Sequence, residues 1–237
     1  MDSNLKKQFT QLKRINMLLI ALLILISCYL LIEKFSTSNQ TDVLYAKGLV
    51  ILDDEGNERI LIGAPIPKSK DRIRDDLKKA QAVWGEELEL NKEWDWFEDM
   101  SHDCFGMLIL DENGHDRLAI GSPTPDPNIG LRIGPATGIE INDENGYERS
   151  GYSYMPVNGG SRVVLGLDRP GSLEGATFSI LEDGTTGLSV YNNKSKSAMF
   201  LGNSEANTYM TPGKEKYFGL AIKDSLNNIR IMNSNNN

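Results

Sequence analysis

Two histidines, one cysteine outside the N-terminal segment and a series of acidic turns are the residues through which this chain could do chemistry. His102, Asp103, Cys104 and His115 are donor types that zinc accepts, but joining them needs a fold that brings the end of a linker onto a turn. A Ser-His-Asp arrangement meets the same shortage, since the sequence has 2 histidines and no G-x-S-x-G. Cys104 reads as a small buried apolar residue rather than a nucleophile. Asp53-Asp54-Glu55-Gly56 and Asp111-Glu112-Asn113-Gly114-His115-Asp116 offer calcium its oxygen ligands without the alternating spacing of a calcium loop. Turn chemistry already accounts for them, so no cofactor is expected and calcium is the alternative. Acids are numerous enough to supply carboxylate pairs for glycoside hydrolysis, but nothing in the sequence sets their separation. No catalytic, cofactor-binding or metal-ligating residue is therefore assigned.

Aromatic side chains give a second kind of candidate. Residues 66–103 hold all 3 tryptophans in a highly charged segment. Trp84, Trp94, Trp96 and Phe97 are the candidate interaction residues, suited to a partner surface or, beside the acids, to a sugar ring. Ile73, Leu77, Ala80 and Trp84 fall on one face of a helix, which Gly85 stops or bends. The competing reading is that this helix and aromatic knot cap an edge or end of a sheet.

The elements that must position these residues are repeated. A pattern G-x4-D-x2-G-x2-R occurs at Gly48/Asp53/Gly56/Arg59, Gly106/Asp111/Gly114/Arg117 and Gly138/Asp143/Gly146/Arg149. Gly219/Asp224/Asn227/Arg230 keeps the spacing, with Asn replacing the second Gly as the side chain that best tolerates a left-handed backbone. Gly187 to Gly202 is a degraded copy, Arg162 to Gly166 resembles a return strand, and Phe178 to Gly184 a first strand with its turn. Each unit reads as a β-hairpin in which Asp accepts amide hydrogens, Gly supplies the positive φ of a bulged turn, and Arg opens the return strand. That Arg could pair with the Asp of its own or a stacked unit. An arginine ladder could instead hold an anionic polymer, but the acidic charge of the chain favours the ion pairs. Leu49–Leu52 and Met107–Leu110 are apolar throughout and predict strands buried on both faces. Ile139-Glu140-Ile141-Asn142 and Leu188-Ser189-Val190-Tyr191 alternate and predict one buried face. A lone hairpin cannot bury its apolar side, so the units must stack.

The unit resembles the repeat of a loose set of uncharacterised bacterial proteins that often carry an N-terminal membrane anchor. The resemblance covers the hairpins from Gly48 onward, excludes residues 66–103, and implies fold and location but no activity.

Met17 to Ile32 contains no charge and follows Lys6, Lys7, Lys13 and Arg14, which predicts a single span with the N-terminus in the cytoplasm. Leu25-Ile26-Ser27-Cys28 also fits a lipobox, in which Cys28 would carry the lipid of a membrane lipoprotein. The full chain has 25 Lys and Arg against 33 Asp and Glu. Setting aside Asp2 and those four basic residues leaves 21 against 32, a net charge of −11 that disfavours nucleic acid and anionic lipid. Cys104 alone lies beyond the span, so no disulfide forms within the outer domain.

The expected fold is mainly β: stacked hairpin repeats forming a solenoid-, barrel- or prism-like sheet, with an N-terminal transmembrane helix and one helical insertion. The expected divisions are a basic tail (1–14), the span (15–34), a tether (35–46), the β-repeat domain (47–232, insertion 66–103) and a polar tail (233–237). The expected role is a membrane-anchored, outward-facing module of the cell envelope, without enzymatic activity, that meets a protein, an envelope polymer or its own copies. A carbohydrate-binding or carbohydrate-active domain is the alternative. Exposed tryptophans beside converging carboxylates would favour carbohydrate, and a flat apolar face would favour interaction.

Overall fold

The computed structural model describes residues 3–36, 43–85, 97, 99–128, 131–192, 197–205, 216–224 and 228–233. The chain forms two compact units, Met1–Tyr45 and Ala46–Asn237.

The first unit is the helix α1, Ser3–Ser36. With neither Gly nor Pro before Gly48, nothing stops it at the end of the apolar run. It therefore takes in the basic residues expected to form a separate tail and the first two residues of the expected tether. Its Asn4–Ile32 portion is long and apolar enough to cross a membrane.

The second unit is mainly β. Its strands are β1 (Gly48–Leu52), β2 (Glu58–Gly63), β3 (Gly106–Leu110), β4 (Asp116–Gly121), β5 (Thr137–Asn142) and β6 (Glu148–Val157). They continue with β7 (Gly160–Arg169), β8 (Leu173–Ile180), β9 (Thr186–Tyr191), β10 (Ser197–Ser204), β11 (Tyr217–Lys223) and β12 (Ile229–Asn233). All twelve pair with their sequence neighbours in one open antiparallel sheet. The hairpins thus stack edge to edge, and Asn233 ends the last strand while 234–237 lie outside the described residues.

Each fixed residue of the repeat has a mechanical task. Asp53 Oδ1 accepts from the amides of Glu55 (3.1 Å) and Asn57 (2.8 Å). Asp111 does the same for Asn113 and His115, and Asp143 for Asn145 and Tyr147. Gly56, Gly114 and Gly146 sit at φ of 85°, 88° and 80°, in the left-handed region where a side chain is strained. Asn227 lies outside the described residues, although Asp224 still accepts from the amide of Asn228 at 2.9 Å.

The arginine is the extra residue of a β-bulge. Ile51 faces Ile60 while Leu52 faces Glu58, so Arg59 has no partner in the ladder. Arg117 and Arg149 are bulged in the same way. Each reaches back to its own turn carboxylate, at 2.6 Å for Arg59–Asp53, 3.8 Å for Arg117–Asp111 and 4.0 Å for Arg149–Asp143. Each also donates forward to a carbonyl of the next hairpin, at Asp111, Asn142 and Asp168 respectively. Arg230 departs from this rule: it pairs in register with Ile222, without a bulge.

The opening glycines also acquire a reason. Gly48, Gly63, Gly106, Gly121 and Gly138 form one row across five strands. A Cβ on Gly106 or Gly138 would lie 2.0 Å from a carbonyl oxygen of the neighbouring strand.

The insertion is shorter in helix than the spacing suggests. Ile73 belongs to a 3-10 turn, Ile73–Asp75, and α2 is Leu77–Trp84. Asp76 interrupts the two because its carboxylate caps α2, accepting from the amides of Lys78 and Lys79. The stripe nevertheless holds together: Ile73, Ala80 and Trp84 join Phe97, Met100 and Tyr147 in one core cluster, with Leu77 against it. A second cluster, Leu61, Ile66, Cys104, Leu108, Leu110 and Ala119, lies on β2 to β4 and the flanking segments.

Candidate interaction surface

Strict sequential pairing places side chains in level rows across the sheet. One row runs Leu49, Ile62, Met107, Ile120, Ile139, Tyr152, Leu165, Phe178, Leu188, Leu201, Leu220 and Met232. Two residues along each strand, apart from the bulges, runs another: Ile51, Ile60, Ile109, Leu118, Ile141, Ser150, Leu167, Ala176, Val190, Met199, Ile222 and Arg230. Because side chains alternate across a strand, both rows stand on the same face. Nine of the twelve residues in the first row are 36% to 59% exposed.

The row between them points the other way and is covered. It holds Leu61, Leu108, Ala119, Glu140, Ser189, Phe200 and Ala221, all buried. This inverts the expected faces. The alternation of Ile139-Glu140-Ile141-Asn142 is real, but Glu140 and Asn142 are the buried pair, 2% exposed each, while Ile139 and Ile141 are exposed. Leu49, Ile51 and Leu52 are likewise exposed, so the first strand is not buried on both faces. Alternation specifies two faces and leaves open which of them is covered.

Charge from the insertion explains how polar side chains survive on the covered face. Arg72 grips Asp116 with two parallel bonds, Nε to Oδ1 at 2.8 Å and Nη2 to Oδ2 at 2.6 Å, and donates to the His102 carbonyl at 2.9 Å. Burial opposes ionisation of Asp116, but the Arg72 guanidinium outweighs it and holds the carboxyl below the usual range. Arg74, also buried, lies 3.9 Å from Asp116 and donates to the carbonyls of Asp126 and Ser101. Further along, Arg132 contacts Glu140 and stands 3.6 Å from Glu148. Burial pushes Glu140 up to about 7, against the pull of Arg132, and raises Glu148 as well. The adjoining cavity, about 80 Å³, is lined in part by Arg132, Glu148 and Ser153. It is far below the roughly 300 Å³ at which small-molecule pockets begin.

The residues singled out by type are dispersed. Trp84 and Phe97 are buried in the core cluster, and Trp84 donates to the Asn145 carbonyl at 3.0 Å. Trp94 and Trp96 lie outside the described residues. His102 faces the Phe97 carbonyl at 2.7 Å and its ring meets the Phe97 ring at a 45° tilt, whereas His115 meets Asp111 at 3.2 Å. Burial pushes the Cys104 thiol up to about 11, leaving it protonated. Among the described residues, no group of three His, Cys, Asp or Glu side chains could hold a metal ion. Cys28 is an exposed residue within α1.

Comparison with protein-family models, curated proteins and solved structures returns no match to this chain. The most extensive exposed feature of the β unit is the pair of rows on the open face of the sheet. Arg72 and Asp116 sit in charged stretches that read as solvated surface or turn, and Arg132 stands alone among uncharged residues 128–138, so none announced a buried partner. The rows were legible in principle, by aligning the hairpins on their glycines.

Proposed function

We propose that this chain is a membrane-anchored interaction module of the cell envelope, with α1 as the anchor and the β domain on the outer side. The observation that carries the reading is the face bearing the two rows: nine residues of the first are exposed, from Leu49 on the first strand to Met232 on the last, joined by Ile51, Ile141, Leu167 and Ile222 of the second. Soluble monomers rarely leave a continuous apolar patch beyond several hundred Å² uncovered, and patches of this kind mark contact surfaces. The basic residues ahead of the apolar run support the orientation. Two commitments argue against a catalytic reading. The turn carboxylates are spent on backbone amides, and the buried arginines on carbonyls and on Asp116.

A photo-crosslinking amino acid at Phe178, on the exposed face, tests this in intact membranes against the same group at Glu144, in a turn. Covalent adducts at Phe178 and few at Glu144 are expected. Equal, weak labelling at both positions would remove the interaction reading. Protease added to the outer side of sealed cells should digest the β domain and leave α1 protected; the reverse pattern would overturn the orientation.

A further inference from the structure

We infer that the occupant of the exposed apolar face is the same face of a second copy of this chain. This deepens the interaction reading and rests on it.

Three observations select a sibling copy. The first is area. Twelve strands at about 4.8 Å spacing span about 53 Å, and two rows with their side chains cover about 14 Å along the strands. That gives about 750 Å² per copy and about 1,500 Å² for a pair, inside the range of about 1,200 to 2,000 Å² for stable interfaces.

The second is composition. The two rows are aliphatic and aromatic except for Ser150 and Arg230. A surface so poor in hydrogen-bonding groups resembles a domain core cut in half, the hallmark of obligate interfaces between copies. Two sheets meeting through such faces make an ordinary sandwich about 10 Å thick.

The third is exclusion of the nearest competitor, a lipid surface. Membrane-binding faces carry Lys, Arg and Trp at their margins. These rows contain no Lys, no Trp and a single Arg, Arg230 on the last strand, and the chain beyond the anchor has a net charge of −11. Anchoring also confines copies to one plane, which raises their effective concentration.

The test uses the full chain, excised from membranes in copolymer-bounded discs so that no free detergent competes for the face. One dye per chain is counted by stepwise photobleaching at low expression. Two steps per disc are expected, falling to one in Leu165→Glu. A Leu165→Cys variant in a Cys28→Ser background gives an independent readout should the Glu variant fold poorly. Its reaction with a water-soluble maleimide in membranes should be at least tenfold slower than that of Glu144→Cys. Single steps together with slow labelling at Leu165 would mean another occupant, overturning the second copy while sparing the interaction reading. Single steps with fast labelling would overturn both. Two steps that persist in Leu165→Glu with fast labelling of Leu165→Cys would place the contact elsewhere and overturn this proposal.

Discussion

The first three hairpins and the strands from β7 onward share a pairing scheme but differ in what lies over the covered face. Over the former sit the 3-10 turn and α2, with two clusters of buried apolar residues and the Arg72–Asp116 pair. Among the described residues of the latter, one small cluster appears, Phe200 with Ala221, backed by Ile229 and Ile231. The same row that holds Leu61 and Leu108 early holds Gly166, Thr177 and Ser189 later. The first region can be stable on its own packing, whereas the second gains most of its remaining apolar burial only if the exposed face is covered. A hairpin repeat therefore fixes pairing and register, while burial is decided by whatever the chain adds outside the repeat.

The sharpest way to break that contrast is at the pair that seats the insertion. Arg72→Ala leaves Asp116 charged and buried, and is expected to cost about 3 to 5 kcal/mol in denaturant unfolding. Replacing both, Arg72→Met with Asp116→Leu, should recover most of the loss, because two apolar groups need no partners. If Arg72→Ala unfolds at the wild-type midpoint, the insertion does not stabilise the first region. Glycines of equivalent turns extend the comparison. A Cβ on Gly114 would sit 2.0 Å from the Asp71 carbonyl oxygen, whereas one on Gly56 meets nothing within 4 Å. Gly56→Ala should cost about 1 to 2 kcal/mol, the penalty of the left-handed backbone alone. Gly114→Ala should cost about 3 kcal/mol, adding displacement of the insertion. Equal losses would show that the insertion yields freely.

How much of this was legible in residues varies with scale. Asp53, Gly56 and Arg59 announced a hairpin because their tasks are local, completed within a few bonds of the turn. The bulged turn was legible too, but the reach of Arg59 to the Asp111 carbonyl was not, since it depends on a turn more than fifty residues away. Ile139-Glu140-Ile141-Asn142 declared two faces, but the choice between them rests on Arg132 and the Arg72–Asp116 pair stabilising a polar interior. Trp84 and Phe97 looked like contact residues and are core, because a large ring is as useful beneath a helix as on a surface.

Glu140 lies at the margin of the covered region, where its acidity becomes a readout of burial. Its folded value of about 7 stands above the usual 4.5. The folded chain therefore holds this proton to higher pH than the unfolded chain, and the stability gained from it at low pH is lost as pH rises through that window. The loss is on the order of 3 kcal/mol. Thermal unfolding between about pH 4.5 and 7 should show stability falling with pH, and Glu140→Gln should flatten the slope. A slope unchanged in Glu140→Gln would mean that Arg132 keeps this carboxylate ionised throughout.

Arg59 and Arg230 separate the two regions with the smallest change. Arg59 is bulged, binds Asp53 at 2.6 Å and donates to the next turn, so truncation to Ala removes contacts both within a hairpin and between hairpins. Arg59 also helps hold the Asp53 carboxyl at about 2, with the Asn57 hydrogen bonds, against the opposing effect of burial. A loss of about 1 kcal/mol is expected for Arg59→Ala by denaturant midpoint. Arg230 is exposed in the last strand, in register with Ile222 and level with the apolar row, so Arg230→Ala should leave the midpoint within about 0.5 kcal/mol of wild type. Arg230→Leu distinguishes the reasons. If the row is an interface, a leucine there extends it across the twelfth strand and slows dissociation of paired chains. If the row faces only water, the same change adds exposed apolar surface, leaves any pairing unaltered, and lowers solubility instead.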